Sequence, residues 1–494
     1  MAPRACCRAT EEPTWKCQRR GLPPRPRKRI RSLTSPGDVS ILAWYFFSTP
    51  PLCRIIGADS GSIPKNPSCG IETQMLFNAE RARVYMRDRG LDGLIATSPV
   101  NITYFTDYFI WIDGLMKAYM VRPGASADLS QGYALFPRES EPALAVTGAM
   151  LAVNGVDLWV KDLRISGDFG LDWSVPPRPL SDRMDRIYHL LQGAPDYTTT
   201  TQALVGALSD RELAAGTLGV EADGLTADRY RQLKEALPDA RLLDCSNLIR
   251  LLRMVKTRDE IDRLTRAAEI SETAAMTAME QAKPGDNVQE VVHRFRAELG
   301  ARGADLDHFA FGVHGLGIAT EPDFILGDSD VEYVDWGCRY RSCYSDTGTT
   351  FAMRPLSADM QVRFDTLRAS MDAGLAAIRP GISSSAVQAA MQEVVDEAGY
   401  SMYPHGHGVG MEVRDYPVLA PDTGLRISDG CVDVPSDLPI EEDMVLNVEA
   451  PLSLAGVGSL HLEQSVVVTA SGSRPLTEQR RDGPVFPLGV LGQE

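Results

Sequence analysis

VEYVDWG at positions 331–337, followed after Cys338–Tyr344 by SDTGTTF at 345–351, is the stretch on which the fold turns. Residues 331–337 are strand-like and end at a glycine, as a strand does before a turn. Ser345 to Phe351 reads as the returning strand. Asp335 and Asp346 therefore flank a hairpin 11 residues apart. On paired strands such a spacing can aim both carboxylates at one point.

Three segments downstream carry the same kind of signal. PHGHGVG at 404–410 places His407 between glycines, VLNVEAP at 445–451 has Glu449 closing an apolar strand, and LEQSVVVT at 462–469 has Glu463 opening another. A carboxylate beside buried strand residues costs several kcal/mol unless it is paired or metal-bound. Two Asp, one His and two Glu converging would make an oxygen-rich site for two divalent ions. Bridging carboxylates would hold such ions about 3.5–4 Å apart and lower the pKa of a shared water. Taken singly, each residue has a plainer reading: Asp335 and Asp346 as turn carboxylates, His407 as a loop histidine, Glu449 as an exposed strand end. Five together point to metal. His405, two residues before His407, reads as a loop residue rather than a ligand.

Working outward, the chain has 494 residues, 44% hydrophobic and 23% charged, enough for two or three domains with sizeable cores. No run of about 18 apolar residues occurs, so a transmembrane helix and a membrane partner are not expected. The net charge of −16 is uneven. Residues 1–74 hold 12 Lys+Arg against 5 Asp+Glu, leaving 38 against 61 in the remaining 420. So acidic a body would repel phosphate backbones, which argues against a nucleic-acid partner. Five of the nine cysteines precede Met75, and Cys245, Cys338, Cys343 and Cys431 are scattered without a CxxC pair. They read as buried free thiols in a reducing, cytoplasmic compartment.

Residues 1–74 are rich in Pro, Arg and Cys, show no amphipathic period, and read as a disordered or non-native extension. A folded α/β domain is expected over 75–250, with helices at Glu80–Arg89, Ser181–Gln192 and Asp228–Ala236. Its strands are expected at Asp92–Thr97, Ala134–Phe136, Ala143–Thr147 and Leu158–Val160, with loops at Val175–Leu180 and Pro195–Thr201. No glycine-rich phosphate loop follows the first strand. A long helical passage is expected from Ser246 to about Gln281, and the catalytic domain over 251–494.

The order Asp335, Asp346, His407, Glu449, Glu463, in those local contexts, resembles the pita-bread metallohydrolase family. That family includes Xaa-Pro aminopeptidase, prolidase and creatinase, with methionine aminopeptidase as a more distant relative. KTRDEI at 256–261 looks like the opening of its catalytic domain, and NITYFT at 101–106 looks like the opening of the creatinase-type N-terminal domain. The resemblance implies an α+β chain, a creatinase-like α/β domain followed by a pita-bread catalytic domain, and a homodimer. It also implies those five residues as ligands of two divalent ions, Mn, Co, Fe or Zn.

Three positions depart from the family pattern. Family peptidases usually carry a histidine seven residues after the ligand histidine, where this chain has Arg414. They carry another some 17 or 18 residues before the first ligand Asp, where Gly317 and Ile318 stand, with His314 the nearest histidine. At 461, where the family commonly has arginine, this chain has histidine. His461 lies two residues before Glu463, and on a strand the two face the same way. It is therefore a candidate proton donor or oxyanion partner beside Glu449 and Glu463, with Arg414 a candidate carboxylate anchor. The leading expectation is a metallopeptidase-type hydrolase cleaving an amide bond in a small peptide or N-acyl amino acid. The alternatives are a creatinase-like C–N hydrolase or carbon–sulfur lyase acting on a small charged metabolite, and a binding protein without turnover.

If residues 1–74 lie outside the fold, a chain beginning at Met75 should keep its melting temperature and activity. A fall of more than about 5 °C would show that the segment packs on the body.

Overall fold

The computed structural model describes residues 75–111, 123–124, 131–148, 153–155, 157–167, 171–193, 197–478, 483–488 and 490; residues 1–74, and with them the extension, lie outside the described residues. All described residues belong to one compact unit, Ile71–Glu494.

Helix α1 (Ala79–Arg89) starts where the Asn78 side chain accepts the Arg81 N–H, and ends at Gly90 with φ of 64°. That left-handed turn suits glycine. Strand β1 (Gly93–Ala96) leads into α2 (Pro99–Thr106), whose first turn holds a proline and is capped by Ser98. Glu221 accepts hydrogen bonds from the Thr97 and Ser98 amides (2.7 and 2.9 Å) and from the Asn101 side chain (2.6 Å), which anchors the NITYFT segment. There follow β2 (Tyr133–Pro137), β3 (Ala143–Thr147), β4 (Asp162–Ser166), α3 (Asp182–Gln192), α4 (Thr200–Ser209), β5 (Thr217–Val220), α5 (Ala227–Ala236) and β6 (Arg241–Asp244). They form a six-stranded sheet in the order β4-β3-β2-β1-β5-β6.

Two expectations fail in this part. Leu158–Val160 is not a strand: the Leu158 N–H turns back onto the Gly155 carbonyl, and the strand begins at Asp162. The end of the expected loop at 195–201 is instead the start of α4, where Thr199 caps the Gln202 amide.

The helical passage after Ser246 breaks into α6 (Ser246–Arg253) and α7 (Arg258–Glu280). Thr257 is extended and forms a capping box with Glu260, each side chain accepting the other's backbone N–H. Beyond lie α8 (Val288–Ala301), β7 (Asp305–Gly312), β8 (Ile318–Ala319), β9 (Val331–Tyr340), β10 (Cys343–Tyr344), β11 (Thr347–Ala352), α9 (Ala358–Ala377), α10 (Ser384–Ala398), β12 (His405–Gly408), β13 (Asp415–Leu419), β14 (Arg426–Ser428), β15 (Asp433–Pro435), β16 (Val445–Leu454), β17 (Gly458–Thr469) and β18 (Gly472–Pro475). An antiparallel sheet runs β13-β12-β16-β17-β11-β9-β7-β8, with β10 on β9 and β18 on β17. Helix α7 packs on β9, and α9 on β16 and β17. Val334, Trp336 and Cys338 of β9 join the core with Ala267, Ile270 and Ala274 of α7. Residues 335, 337 and 339 take the other side, because side chains alternate along a strand. Cys245, Cys338, Cys343 and Cys431 are free and buried, as expected. Among the described residues no helix is long and apolar enough to cross a membrane.

The two sheets' parts are joined through a buried polar cluster. Arg253 donates to Asn101 Oδ1 of α2 and to Asp415 Oδ2 of β13, both at 3.2 Å, and Lys256 Nζ lies 3.4 Å from the same Asp415 oxygen. Burial lifts the neighbouring Glu260 carboxyl from its ordinary 4.5 to about 8, although Lys256 and the Thr257 N–H pull it down. A carboxyl that gains pKa on folding takes up a proton between those two values. Its contribution therefore opposes folding increasingly as pH rises from about 4.5 to about 8. Glutamine keeps the cap without titrating. The melting temperature of Glu260→Gln relative to the parent should accordingly rise by several degrees between pH 5 and pH 8; a constant difference would show that Glu260 is ionised throughout.

Candidate metal centre

Backbone register builds this site. Asp335 on β9 pairs with Gly348 on β11, Gly348 with Glu463 on β17, Glu463 with Glu449 on β16, and Glu449 with His405 on β12. Directly opposed residues project to the same face, so these five form one row across five strands. Glu449 does not close its strand and Glu463 does not open its own. Each sits mid-strand, since β16 runs on to Leu454 and β17 starts at Gly458. Gly348 leaves the centre of the row open: a Cβ there would fall 2.4 Å from the His461 ring and 2.6 Å from Glu463 Oε2.

Asp346, between β10 and β11, and His407, on β12, border the row. His407 Nε2 lies 3.3 Å from Asp346 Oδ2 and 4.0 Å from Glu449 Oε1, while its Nδ1 lies 2.9 Å from the Gly408 carbonyl. That carbonyl can only accept, so Nδ1 carries the proton and Nε2 presents a lone pair. His461 is fully buried and stacks on Tyr333 with ring centroids 3.9 Å apart. Its Nδ1 meets the Val334 carbonyl at 3.3 Å, and its Nε2 lies 3.7 Å from Glu449 Oε2 and 3.8 Å from Glu463 Oε2. Arg414 reaches Glu449 Oε1 at 3.4 Å from an otherwise exposed position, 61% accessible in its side chain. Asn447 donates to Glu463 Oε1 at 2.6 Å and to the Asp346 carbonyl at 3.1 Å. The five residues expected to bind metal, and the two expected to act beside them, thus belong to one constellation.

Two histidines enlarge it. His405, read as a loop residue, lies in β12 with Nε2 2.8 Å from Glu449 Oε1. His308, on β7, was not foreseen: its Nε2 lies 2.8 Å from Asp335 Oδ1 and 3.5 Å from Asp346 Oδ1. Tyr333 also donates its hydroxyl to Asp335 Oδ2 at 2.9 Å. His314, the nearest upstream histidine, instead meets Glu332 at 3.0 Å and Phe324.

The electrostatics follow from crowding. Burial, then the charges of Asp335, Asp346 and Glu449, push the Glu463 carboxyl well above its usual range. Burial acts the same way on Glu449 and Asp346 but is outweighed, by His405 and His461 for the former and by His308 and His407 for the latter, so both are lowered. The buried atoms His407 Nε2, His461 Nε2 and Glu463 Oε2 have no hydrogen-bond partner. Imidazole nitrogens aimed at carboxylate oxygens need a proton or a metal ion between them. The donor set therefore fits divalent ions, hard carboxylates supplying charge and imidazole a borderline donor.

Known proteins share the two parts of this chain and its fold. Residues 262–470 match the model of metallopeptidase family M24, and residues 79–255 match that of the Creatinase/Prolidase N-terminal domain. An uncharacterized peptidase of Bacillus subtilis is 26% identical over 275 residues, 54% of this chain and 74% of that protein. The Xaa-Pro dipeptidase of Pyrococcus furiosus is 24% identical over 274 residues, 54% of this chain and 75% of that protein. The crystal structure of an X-Pro aminopeptidase from Thermotoga maritima superposes with a TM-score of 0.60 at 18% identity, covering 83% of this chain and 99% of that one. The protein is a metal-dependent peptidase-type enzyme on the pita-bread fold, preceded by a creatinase-type domain. The resemblance to creatinase- and prolidase-type metallopeptidases thus extends over both parts of the chain.

Asp335→Ala and Asp346→Ala should each lose bound metal and activity while staying folded, as read by elemental analysis and circular dichroism. Gly348→Ala should weaken metal binding by roughly 10-fold or more, the scale of disturbing groups that orient ligands. Full metal occupancy in both Asp variants would refute the ligand assignment.

Proposed function

We propose that the enzyme hydrolyses an amide bond of the Xaa-Pro type in a small peptide or N-acyl amino acid. The observation that carries this is the row of Asp335, Glu463 and Glu449, closed by Asp346 and His407, in a chain whose relatives include Xaa-Pro dipeptidases. Asp335, Asp346, His407, Glu449 and Glu463 would hold two divalent ions. Ions so held supply Lewis acidity, lowering the pKa of water and polarising a carbonyl.

The chain's own residues divide the remaining work. Glu449 and Glu463 face each other across β16 and β17, and one of them takes the proton released as water attacks. His461 Nε2, within 3.8 Å of both, is placed to pass that proton on or to donate to the oxygen that gains charge. Its ring is fixed by Tyr333 and the Val334 carbonyl, so no reorientation is needed during reaction. Arg414 touches one oxygen of Glu449 and otherwise faces solvent, leaving its guanidinium able to clamp a substrate carboxylate.

His461→Ala should lower kcat by about 10²–10⁴-fold with metal retained, whereas Arg414→Ala should mainly raise KM. The substrate for these measurements comes from a panel of Xaa-Pro dipeptides set beside methylated amines and sulfonium acids. Turnover confined to the latter two would replace amide hydrolysis by chemistry on a small charged metabolite. Near-normal kcat in His461→Ala would return that residue to the core.

A further inference from the structure

We propose that His308 is an additional metal ligand of this centre, oriented by Asp307, and that it biases the centre towards Zn²⁺ and Co²⁺ over Mn²⁺. The inference rests on the reading of the carboxylate row as a metal centre and deepens it. Three separate features of the backbone and its neighbours converge on this one imidazole.

The first is a β-bulge. Leu306 pairs with Cys338, but Gly337 pairs with His308, so Asp307 is an extra residue in β7. Beyond the bulge Phe309 pairs with Trp336 and Ala310 with Asp335, so His308 shares with Ala310 the face that carries Asp335. The extra residue sets Asp307, which has no partner of its own on β9, directly beside His308. Bulges re-aim side chains in this way beside functional sites.

The second is the glycine opposite. A Cβ at Gly337 would fall 2.6 Å from His308 Cε1 and 2.9 Å from its Nδ1. The imidazole thus lies over a position that no side chain fills.

The third is the pairing of its two nitrogens. Nδ1 meets Asp307 Oδ2 at 2.8 Å, while Nε2 faces Asp335 Oδ1 at 2.8 Å and Asp346 Oδ1 at 3.5 Å. A carboxylate on the far nitrogen is how ligating histidines are usually held, fixing the tautomer so that the near nitrogen offers its lone pair. One donor atom each from His308, Asp335 and Asp346 lies within 4.8 Å of the others. Bonds of about 2.1 Å from one ion place donors roughly 3–4 Å apart, so the three can share an ion with modest adjustment.

With His308 at Asp335 and Asp346, and His407 between Asp346 and Glu449, an imidazole stands on each side of Asp346. Carboxylate and water suit Mn²⁺, whereas imidazole suits zinc-like ions. A second imidazole therefore shifts preference in that direction.

The test uses the full chain, stripped of metal by chelation and titrated calorimetrically with Zn²⁺ and, separately, with Mn²⁺. Melting curves check that His308→Gln and Asp307→Asn are folded. His308→Gln should weaken Zn²⁺ binding at one site by about 10-fold or more while changing Mn²⁺ binding less, and should alter the visible spectrum of the Co²⁺-loaded protein. Asp307→Asn, which keeps the ring, should weaken Zn²⁺ binding in the same direction by about 10-fold, and carries the test alone if His308→Gln does not fold. Unchanged Zn²⁺ affinity and Co²⁺ spectrum in folded His308→Gln would overturn the proposal while leaving the five-residue centre standing. A parent chain that takes up neither ion would overturn both.

Discussion

Hydrogen-bonded register puts Asp335, Gly348, Glu463, Glu449 and His405 side by side on five neighbouring strands, so backbone pairing holds together carboxylates that would otherwise repel. Strands in a sheet lie about 4.8 Å apart. Two unit charges at about 5 Å, in an effective dielectric of about 20, repel by about 3 kcal/mol. A few such pairs rival the 5–15 kcal/mol that typically separates a folded domain from its unfolded chain. The surroundings answer that repulsion: against the effect of burial, His405 and His461 hold Glu449 below the usual carboxylate range and His308 and His407 do the same for Asp346, while burial and its acidic neighbours push Glu463 above it. The same crowding gives the centre its avidity for cations, because an ion bound there relieves repulsion as well as forming bonds.

The helices supply the rigidity that this row requires. Trp336 and Cys338 alternate with Asp335 and Gly337 along β9 and are locked against α7, with the Cys338 thiol donating to the Ala267 carbonyl. On the next part of the sheet, α9 packs on β16, the strand that carries Glu449, and Gly374 of α9 makes room for the Met391 side chain of α10. At the edge, Arg253 and Lys256 grip Asp415, the residue after Arg414, from a cluster that also takes in Asn101 of the N-terminal sheet's α2. The position of Arg414 at the centre therefore depends on contacts made by the creatinase-type part of the chain.

Most of the centre was legible in the sequence because its signals are local. Asp335 and Asp346 sit on one hairpin, Glu449 and Glu463 on another, and alternation along β17 carries His461 to the same side as Glu463. Long, strongly patterned helices were legible for the same reason. What was missed is non-local or breaks the pattern. His405 opposes Glu449 only because β12 pairs with β16, and its place between Pro404 and Gly406 suggested a loop. His308 alternates with Phe309 and so faces away from the core, but its own segment does not say what it meets there; only the pairing with β9 brings it to Asp335 and Asp346. The break between α6 and α7 could have been read from the Thr257–Glu260 capping box, which lies in plain sequence.

The bulge in β7 has an evolutionary side. Because it consists of one extra residue, a single-codon deletion would remove Asp307, the carboxylate beside the imidazole, while Phe309 and Phe311 in the core keep His308 on its face. A one-residue indel thus alters the support of the imidazole without altering the imidazole. A lineage could in this way strengthen or weaken a nitrogen donor in one step while Asp335, Asp346, Glu449 and Glu463 stayed in place. The metal diet of such an enzyme would then track the length of a strand rather than the chemistry of its ligands.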